Sequence, residues 1–353
     1  MTNKEKMIGI LGGGQLGMML ATAAKNLGFK TNIYSPDYLS PALNYSTDQT
    51  IAEFDDKKNL TKFAESVDYI TIEFENIPSD TINFIAKSNK LFPPSDAIKI
   101  SQDRLKEKNF CRENKIATNK YINVLKTGDL SDWNYGKKSV MKTRQLGYDG
   151  KGQKIISSKR EAEEAFNKFG QVPCIMEEFI DFKLEASTIS VRDTYGNTYT
   201  YPPAENFHKN HILDTSNVPA SINMKTENAL KDISTKMITN LDYIGVLAVE
   251  FFVLKDNTIL VNEIAPRVHN SGHWTLDGSE VSQFEQHIRA ISQLKILTPK
   301  LIYKTKMLNL IGDDINIWKN KNNSNNEKIY IYGKADIKKG RKMGHVNFLE
   351  DLE

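Results

Sequence analysis

Apolar residues recur along this chain in two rhythms, and the change from one to the other divides it. Residues 7–11 are mostly apolar, as in a short buried strand. Gly12-Gly13-Gly14-Gln15-Leu16-Gly17 follows, then a helical pattern over 16–27 that Gly28 closes. Residues 30–34 and 67–73 read as further strands, and 79–86 as a helix after Ile77-Pro78. Alternating strands and helices predict an open, mostly parallel sheet, ending near Ser101. A charged helix over 102–114 comes next, and then the rhythm becomes that of hairpins. Strands at 139–143 and 153–157 bracket a glycine-rich tip; 159–169 reads as a helix, 174–177 as a strand and 223–241 as a long helix. Residues 279–294 carry Val281, Phe284, Ile288, Ile291 and Leu294 on one stripe. A third unit begins near Thr298, with a lysine- and asparagine-rich run at 319–328 that reads as a solvated loop.

The hairpin over 246–264 makes a chemical prediction. Two apolar strands flank Asp256-Asn257, which reads as a two-residue turn. Pairing outward from it sets Leu254 opposite Ile259, Phe252 opposite Val261 and Glu250 opposite Glu263. Like charges so placed destabilise a sheet, and burial adds to the cost. A hard divalent cation, Mg²⁺ or Mn²⁺, removes the conflict. A one-residue register error, or one glutamate turned to solvent, is the plainer alternative. The loop leaving the hairpin gathers Glu263, Arg267, His269, Asn270, Ser271 and His273, a mixture suited to a site on a rigid platform.

Composition narrows the class. With 39% hydrophobic and 26% charged residues, the 353-residue chain reads as globular, with room for two or three domains. A net charge of +3 gives no argument for nucleic acid or membrane partners. No run is long enough to cross a bilayer, and residues 1–6 are polar, so a cytoplasmic protein is expected. Cys111 and Cys174 form no framework and read as ordinary thiols.

Gly12-x-Gly14-x-x-Gly17, with Asp37 about twenty residues on, matches a dinucleotide fingerprint. A helix N-terminus serves the phosphate of a mononucleotide equally well, and that reading is preferred. The tip at 147–153 is suited to closing over a triphosphate, with Lys142 on the preceding strand aimed at the same phosphates. His208, His211, His269 and His273 lack zinc spacing and read as polar lining or structural groups. Arg341-Lys342 is either a solvated edge or a phosphate clamp.

Together these segments resemble the ATP-grasp superfamily and, within it, the 5-(carboxyamino)imidazole ribonucleotide synthases. The likeness spans nearly the whole chain. It rests on Gln15-Leu16-Gly17, Gln102-Asp103-Arg104, the segments 147–153, 177–185 and 340–345, the two hairpin glutamates, and above all Ala265-Pro266-Arg267-x-His269-Asn270-Ser271-Gly272-His273-Trp274. The implied architecture is α/β and then α+β: a Rossmann-like domain over 1–101, a two-lobed ATP-grasp domain over 102–297, and a small C-terminal domain over 298–353. The resemblance implies ATP between the central lobes. Arg104 and Lys142 would touch its phosphates, under a cover of Gly147, Tyr148, Asp149, Gly150, Lys151, Gly152 and Gln153. Glu177, Glu178, Phe179 and Ile180 would line the adenine. Glu185 would hold the ribose and His208 would also contribute to the ATP site, with Asn262 beside the Mg²⁺ ligands Glu250 and Glu263. Arg267 would hold bicarbonate or carboxyphosphate, with Tyr148, Asp149 and Lys342 near the reacting atoms. Gln15, Leu16, His269, Asn270, Ser271, Lys334, Arg341 and Lys342 would hold aminoimidazole ribonucleotide. A homodimer is the family's habit. The implied reaction carboxylates the exocyclic amine with bicarbonate at the expense of ATP. Three rivals stand beside it: an NAD-dependent oxidoreductase on the first domain, a nucleotide sensor without turnover, and a ligase using formate and glycinamide ribonucleotide.

Overall fold

The computed structural model describes residues 6–147 and 152–352. The N-terminal sheet has four parallel strands in the order Asp48–Ile51, Lys30–Ser35, Met7–Leu11, Tyr69–Ile72. Its first helix, Gln15–Asn26, buries Leu16, Met19, Leu20 and Ala23. Gly28 ends that helix at φ +83°. Its N–H donates to the Lys25 carbonyl (3.0 Å) and that of Phe29 to Ala24 (2.9 Å). That paired return requires a left-handed residue, which glycine adopts without steric cost.

The second sheet forms a lid of four antiparallel strands in the order Tyr121–Val124, Cys174–Glu178, Ser139–Thr143, Gln153–Ile156. Helix Lys159–Lys168 covers one face and starts with a reciprocal cap: Ser158 Oγ accepts from the Glu161 N–H, and Glu161 accepts from the Ser157 N–H.

The third sheet is the floor. Among the described residues it runs Ile259–Ala265, Gly245–Val253, Leu184–Arg192, Ala204–Lys209, Ile212–Val218, Tyr303–Ile311, Lys342–Asp351, Glu327–Ile331, with Thr198–Thr200 on the flank of Leu184–Arg192. The C-terminal strands are therefore continuous with the central ones, joined through Ile212–Val218 and Tyr303–Ile311. Helix Met224–Asn240 packs over Leu184–Arg192. Helix Gln283–Ile291 packs on Gly245–Val253 and also on Gln15–Asn26, tying floor to N-terminal unit. No helix among the described residues is long and apolar enough to cross a membrane. Cys111 and Cys174 are both buried and free.

One contact between these units is sensitive to acid. His287 is fully buried; its Nδ1 accepts the Val246 N–H (3.0 Å) and its Nε2 meets Thr71 Oγ1 at 2.7 Å. Burial pushes this imidazole down to about 3. The unfolded chain takes up a proton near the ordinary value of 6.5 while the folded one resists to about 3. Stability from this group is complete above pH 6.5 and is lost as pH falls through that window. In His287→Gln the slope of unfolding free energy between pH 6 and 4 is expected to fall by up to about 1.4 kcal/mol per pH unit. Urea melts across that range measure it, and an unchanged slope rejects the assignment.

Candidate functional site

The lid and the floor face each other across a cleft of ≈ 1170 Å³ that also reaches the N-terminal sheet. Its hairpin wall differs in detail from the sequence reading. The turn has three residues, not two: Leu254 donates to the Thr258 carbonyl (2.9 Å), and Asn257 takes φ +65°. The near-turn register is thus Val253 opposite Ile259 and Phe252 opposite Leu260. A bulge between Glu250 and Phe251 then shifts the register by one and restores Glu250 opposite Glu263. The expected carboxylate pair is present, by two offsetting departures from the expected geometry.

Burial, and then the Glu263 charge, push Glu250 up to about 8. Glu263 meets Arg104 Nη1 at 3.2 Å, and Arg104 Nη2 donates to the Gly147 carbonyl at 3.2 Å. Asn262 lines the cleft, and its buried Oδ1 has no partner among the described residues. No set of three His, Cys, Asp or Glu side chains makes a complete cation cage among the described residues. Two carboxylates would leave other coordination positions to phosphate and water oxygens. A facing like-charge pair in the wall of the cleft fits such an ion.

Lys142 and Arg104 reach the same space by local design. Asp103 caps helix Arg104–Glu113 by accepting the Leu105 N–H (3.0 Å), and the same carboxylate takes two bonds from Arg144 (3.0 and 2.5 Å). That clamp joins the helix start to the lid and turns Arg104 into the cleft. Glu177 is 1% exposed; it lies 2.5 Å from Lys142 and 3.4 Å from Lys108. Burial alone would raise this carboxyl, but the two ammonium groups outweigh it and hold it at about 2. Glu177 therefore positions Lys142. Glu178, Phe179 and Ile180 continue the wall, and Phe179 is exposed. Glu185 pairs with His208; burial lowers His208, yet that carboxylate leaves it raised overall.

At the other end the glycine motif departs from expectation. The N–H groups of Gly14 and Gly17 donate to Glu73 (2.8 and 3.2 Å), so the protein's own carboxylate occupies part of the helix N-terminus expected to meet a phosphate. Gln15 and Leu16 still line the cleft. A Cβ on Gly14 would lie 2.7 Å from Glu73 Oε1. Gly14→Ala is expected to cost about 1–3 kcal/mol through the displaced carboxylate, and an unshifted denaturation midpoint counts against this.

Arg267 points into the cleft and is paired with Glu75, which the sequence reading did not single out. Burial would raise Glu75, but Arg267 holds it at about 2. His269 Nε2 stands 3.5 Å from Glu250 Oε1. Its Nδ1 receives Ser271 Oγ (2.9 Å), which in turn accepts from Ser187 Oγ (2.7 Å). Ser271 is fully buried and lies behind the lining, whereas Asn270 reaches the cleft with both amide atoms unpartnered among the described residues. Burial, and then Arg267, press His269 down to about 3, so it is neutral. His211 and Lys342 line the cleft. Lys334 donates to the Lys342 carbonyl (2.7 Å) and Arg341 to the Asp336 carbonyl (3.0 Å), both outside the lining. Gly147 and Gln153 line it; the Gly152 carbonyl accepts from Thr143 (2.8 Å). Tyr148, Asp149, Gly150 and Lys151 lie outside the described residues.

Three family models match the chain in series: a ribonucleotide synthetase preATP-grasp domain over 5–102, an ATP-grasp domain over 109–284, and a phosphoribosylaminoimidazole carboxylase C-terminal domain over 305–353. The N5-carboxyaminoimidazole ribonucleotide synthase of Brucella melitensis is 44% identical, with 96% of this chain and 95% of that protein aligned. The Staphylococcus aureus N5-carboxyaminoimidazole synthetase complexed with ADP superposes with a TM-score of 0.93 at 34% identity, covering 98% and 94% of the two chains. The Aspergillus clavatus N5-carboxyaminoimidazole synthase in complex with ADP and 5-aminoimidazole ribonucleotide gives 0.91 at 28% identity, covering 99% and 94%. A full-length match in sequence, in domain order and in fold, around a cleft of this composition, makes the chain a member of the N5-carboxyaminoimidazole ribonucleotide synthase family of ATP-grasp ligases.

Proposed function

We propose that this chain carboxylates 5-aminoimidazole ribonucleotide with bicarbonate, giving N5-carboxyaminoimidazole ribonucleotide, ADP and phosphate in purine biosynthesis. The observation that carries the reading is one cleft whose wall holds a facing carboxylate pair, Glu250 and Glu263, with two cationic groups lining the same cleft, Lys142 with Arg104 and Arg267 with Lys342.

ATP fits between lid and floor, with adenine along Glu178, Phe179 and Ile180, ribose at Glu185 and His208, and phosphates at Lys142 and Arg104. Glu250 and Glu263 would hold Mg²⁺, which neutralises phosphate charge and orients the phosphoryl group. Bicarbonate is a poor electrophile. Attack of its oxygen on the γ-phosphorus releases ADP and makes carboxyphosphate. The exocyclic amine then attacks the carboxyl carbon, the C–O bond to phosphate breaks, and the proton lost by the amine passes to the departing phosphate. The protein's part is positioning and charge neutralisation. The Arg267 fork suits a planar oxyanion, and Glu75 fixes its direction. Gln15, Leu16, Asn270 and Lys342 would receive the ribonucleotide.

The test is ADP release with each acceptor. Full rate is expected only with both aminoimidazole ribonucleotide and bicarbonate present. Turnover with glycinamide ribonucleotide and formate, and none with the imidazole substrate, would overturn the reading.

A further inference from the structure

Where the chain enters and leaves the lid lies a second cavity of ≈ 830 Å³, which borders the nucleotide cleft and shares Asn119 and Glu178 with it. Its walls come from the end of helix Arg104–Glu113, the connector that enters the lid at Tyr121, and the loop around Trp133. Two rings on these walls have fixed orientations. Tyr121 OH donates to Asn109 Oδ1 (2.9 Å) and Trp133 Nε1 to Ser139 Oγ (2.7 Å).

The charge around the rings is unbalanced. Arg112, Lys115, Lys120 and Lys137 line the cavity against Asp132 and Glu178. Glu178 is already paired with Lys137 at 3.3 Å. Lys115 and Lys120 make no ion pair among the described residues. The Arg112 guanidinium stands 5.9 Å from the Tyr121 ring centre. Aromatic faces beside surplus positive charge favour a planar ligand bearing an anionic substituent.

The position matters as much as the chemistry. Asn119 and Glu178 line both this cavity and the nucleotide cleft. The Glu178 N–H donates to the Lys120 carbonyl (2.9 Å), and Asn119 Nδ2 to the Glu178 carbonyl (3.3 Å). These bonds tie the strand entering the lid to the strand leaving it. We propose that the cavity is a second small-molecule site, taking a planar aromatic anion beside the segments that join the lid to the floor while the nucleotide cleft is filled.

The probe is 8-anilinonaphthalene-1-sulfonate, titrated into the full chain with saturating ADP and Mg²⁺. Saturable binding that ADP does not displace is expected. Energy transfer from tryptophan to the probe should drop in Trp133→Phe. The double variant Lys115→Glu/Lys120→Glu, which leaves the cleft and core untouched, should bind about tenfold more weakly, since two exposed ionic contacts are lost and reversed. Its thermal melt should match the parent's. Displacement by ADP, equal affinity in the double variant, unchanged energy transfer in Trp133→Phe, or no saturable binding would each overturn the proposal.

Discussion

Glu250→Gln should lower kcat for ADP production by about 10²–10³-fold, a loss of ~3–4 kcal/mol of transition-state stabilisation, with the fold intact. The side chain sits in the floor wall opposite Glu263, and burial together with that neighbour already pushes its carboxyl up to about 8. An amide there removes a like-charge conflict, so the metal-free protein should melt no lower than the parent. What the variant should lose is the response to metal. Adding MgCl₂ with ADP stabilises the parent because ligand binds only the folded chain, and the melting-temperature gain should shrink in Glu250→Gln. Near-normal turnover at saturating Mg²⁺, or an undiminished gain, would remove the metal from this hairpin.

That hairpin also marks how far the sequence can be read. The Glu250–Glu263 pairing follows from apolar alternation and turn chemistry, although the turn is one residue longer than Asp256-Asn257 suggests and a bulge takes up the difference. Alternation fixes which face a residue occupies; it does not report a bulge, which depends on the opposing strand. Strand Leu184–Arg192, at the heart of the floor, has no hydropathy signal for a different reason. It is buried along nearly its whole length, yet Ser187, Thr188 and Ser190 interrupt its apolar run. Each hydroxyl finds a partner on another element: Ser271 and Ser234, far along the chain, and Thr200 on the adjoining strand. Satisfied polar groups are cheap to bury, so burial and hydropathy part company there. Glu73 and Glu75 were hidden similarly. Glu73 ends a predicted strand and Glu75 follows it, and nothing local shows that one closes over Gly14 and Gly17 and the other over Arg267. Three strands of the parallel N-terminal sheet, the lid strand Ser139–Thr143 and helix Ser79–Ala86 are legible from local pattern; the polar, mostly exposed edge strand Asp48–Ile51 is not.

Arg267→Lys should reduce kcat by about 10²-fold while leaving ADP binding unchanged. The guanidinium stands on the loop just beyond Glu263, faces the cleft, and is steered by Glu75 and by its own bond to the Val268 carbonyl (3.1 Å). A lysine keeps the charge but loses the fork, so it can pair with Glu75 or with an oxyanion, not with both in plane. Glu75→Gln leaves Arg267 charged and keeps a hydrogen-bond acceptor beside it, so its loss should not exceed about tenfold, one charge-assisted bond having become neutral. The order of the two variants is the discriminating result. It should appear in the maximal rate of ADP release, read with bicarbonate, aminoimidazole ribonucleotide and ATP all saturating. If Arg267→Lys keeps more than half the parent's rate, or if Glu75→Gln is the more damaging change, Arg267 serves the packing between loop and N-terminal unit, and the oxyanion is held elsewhere in the cleft.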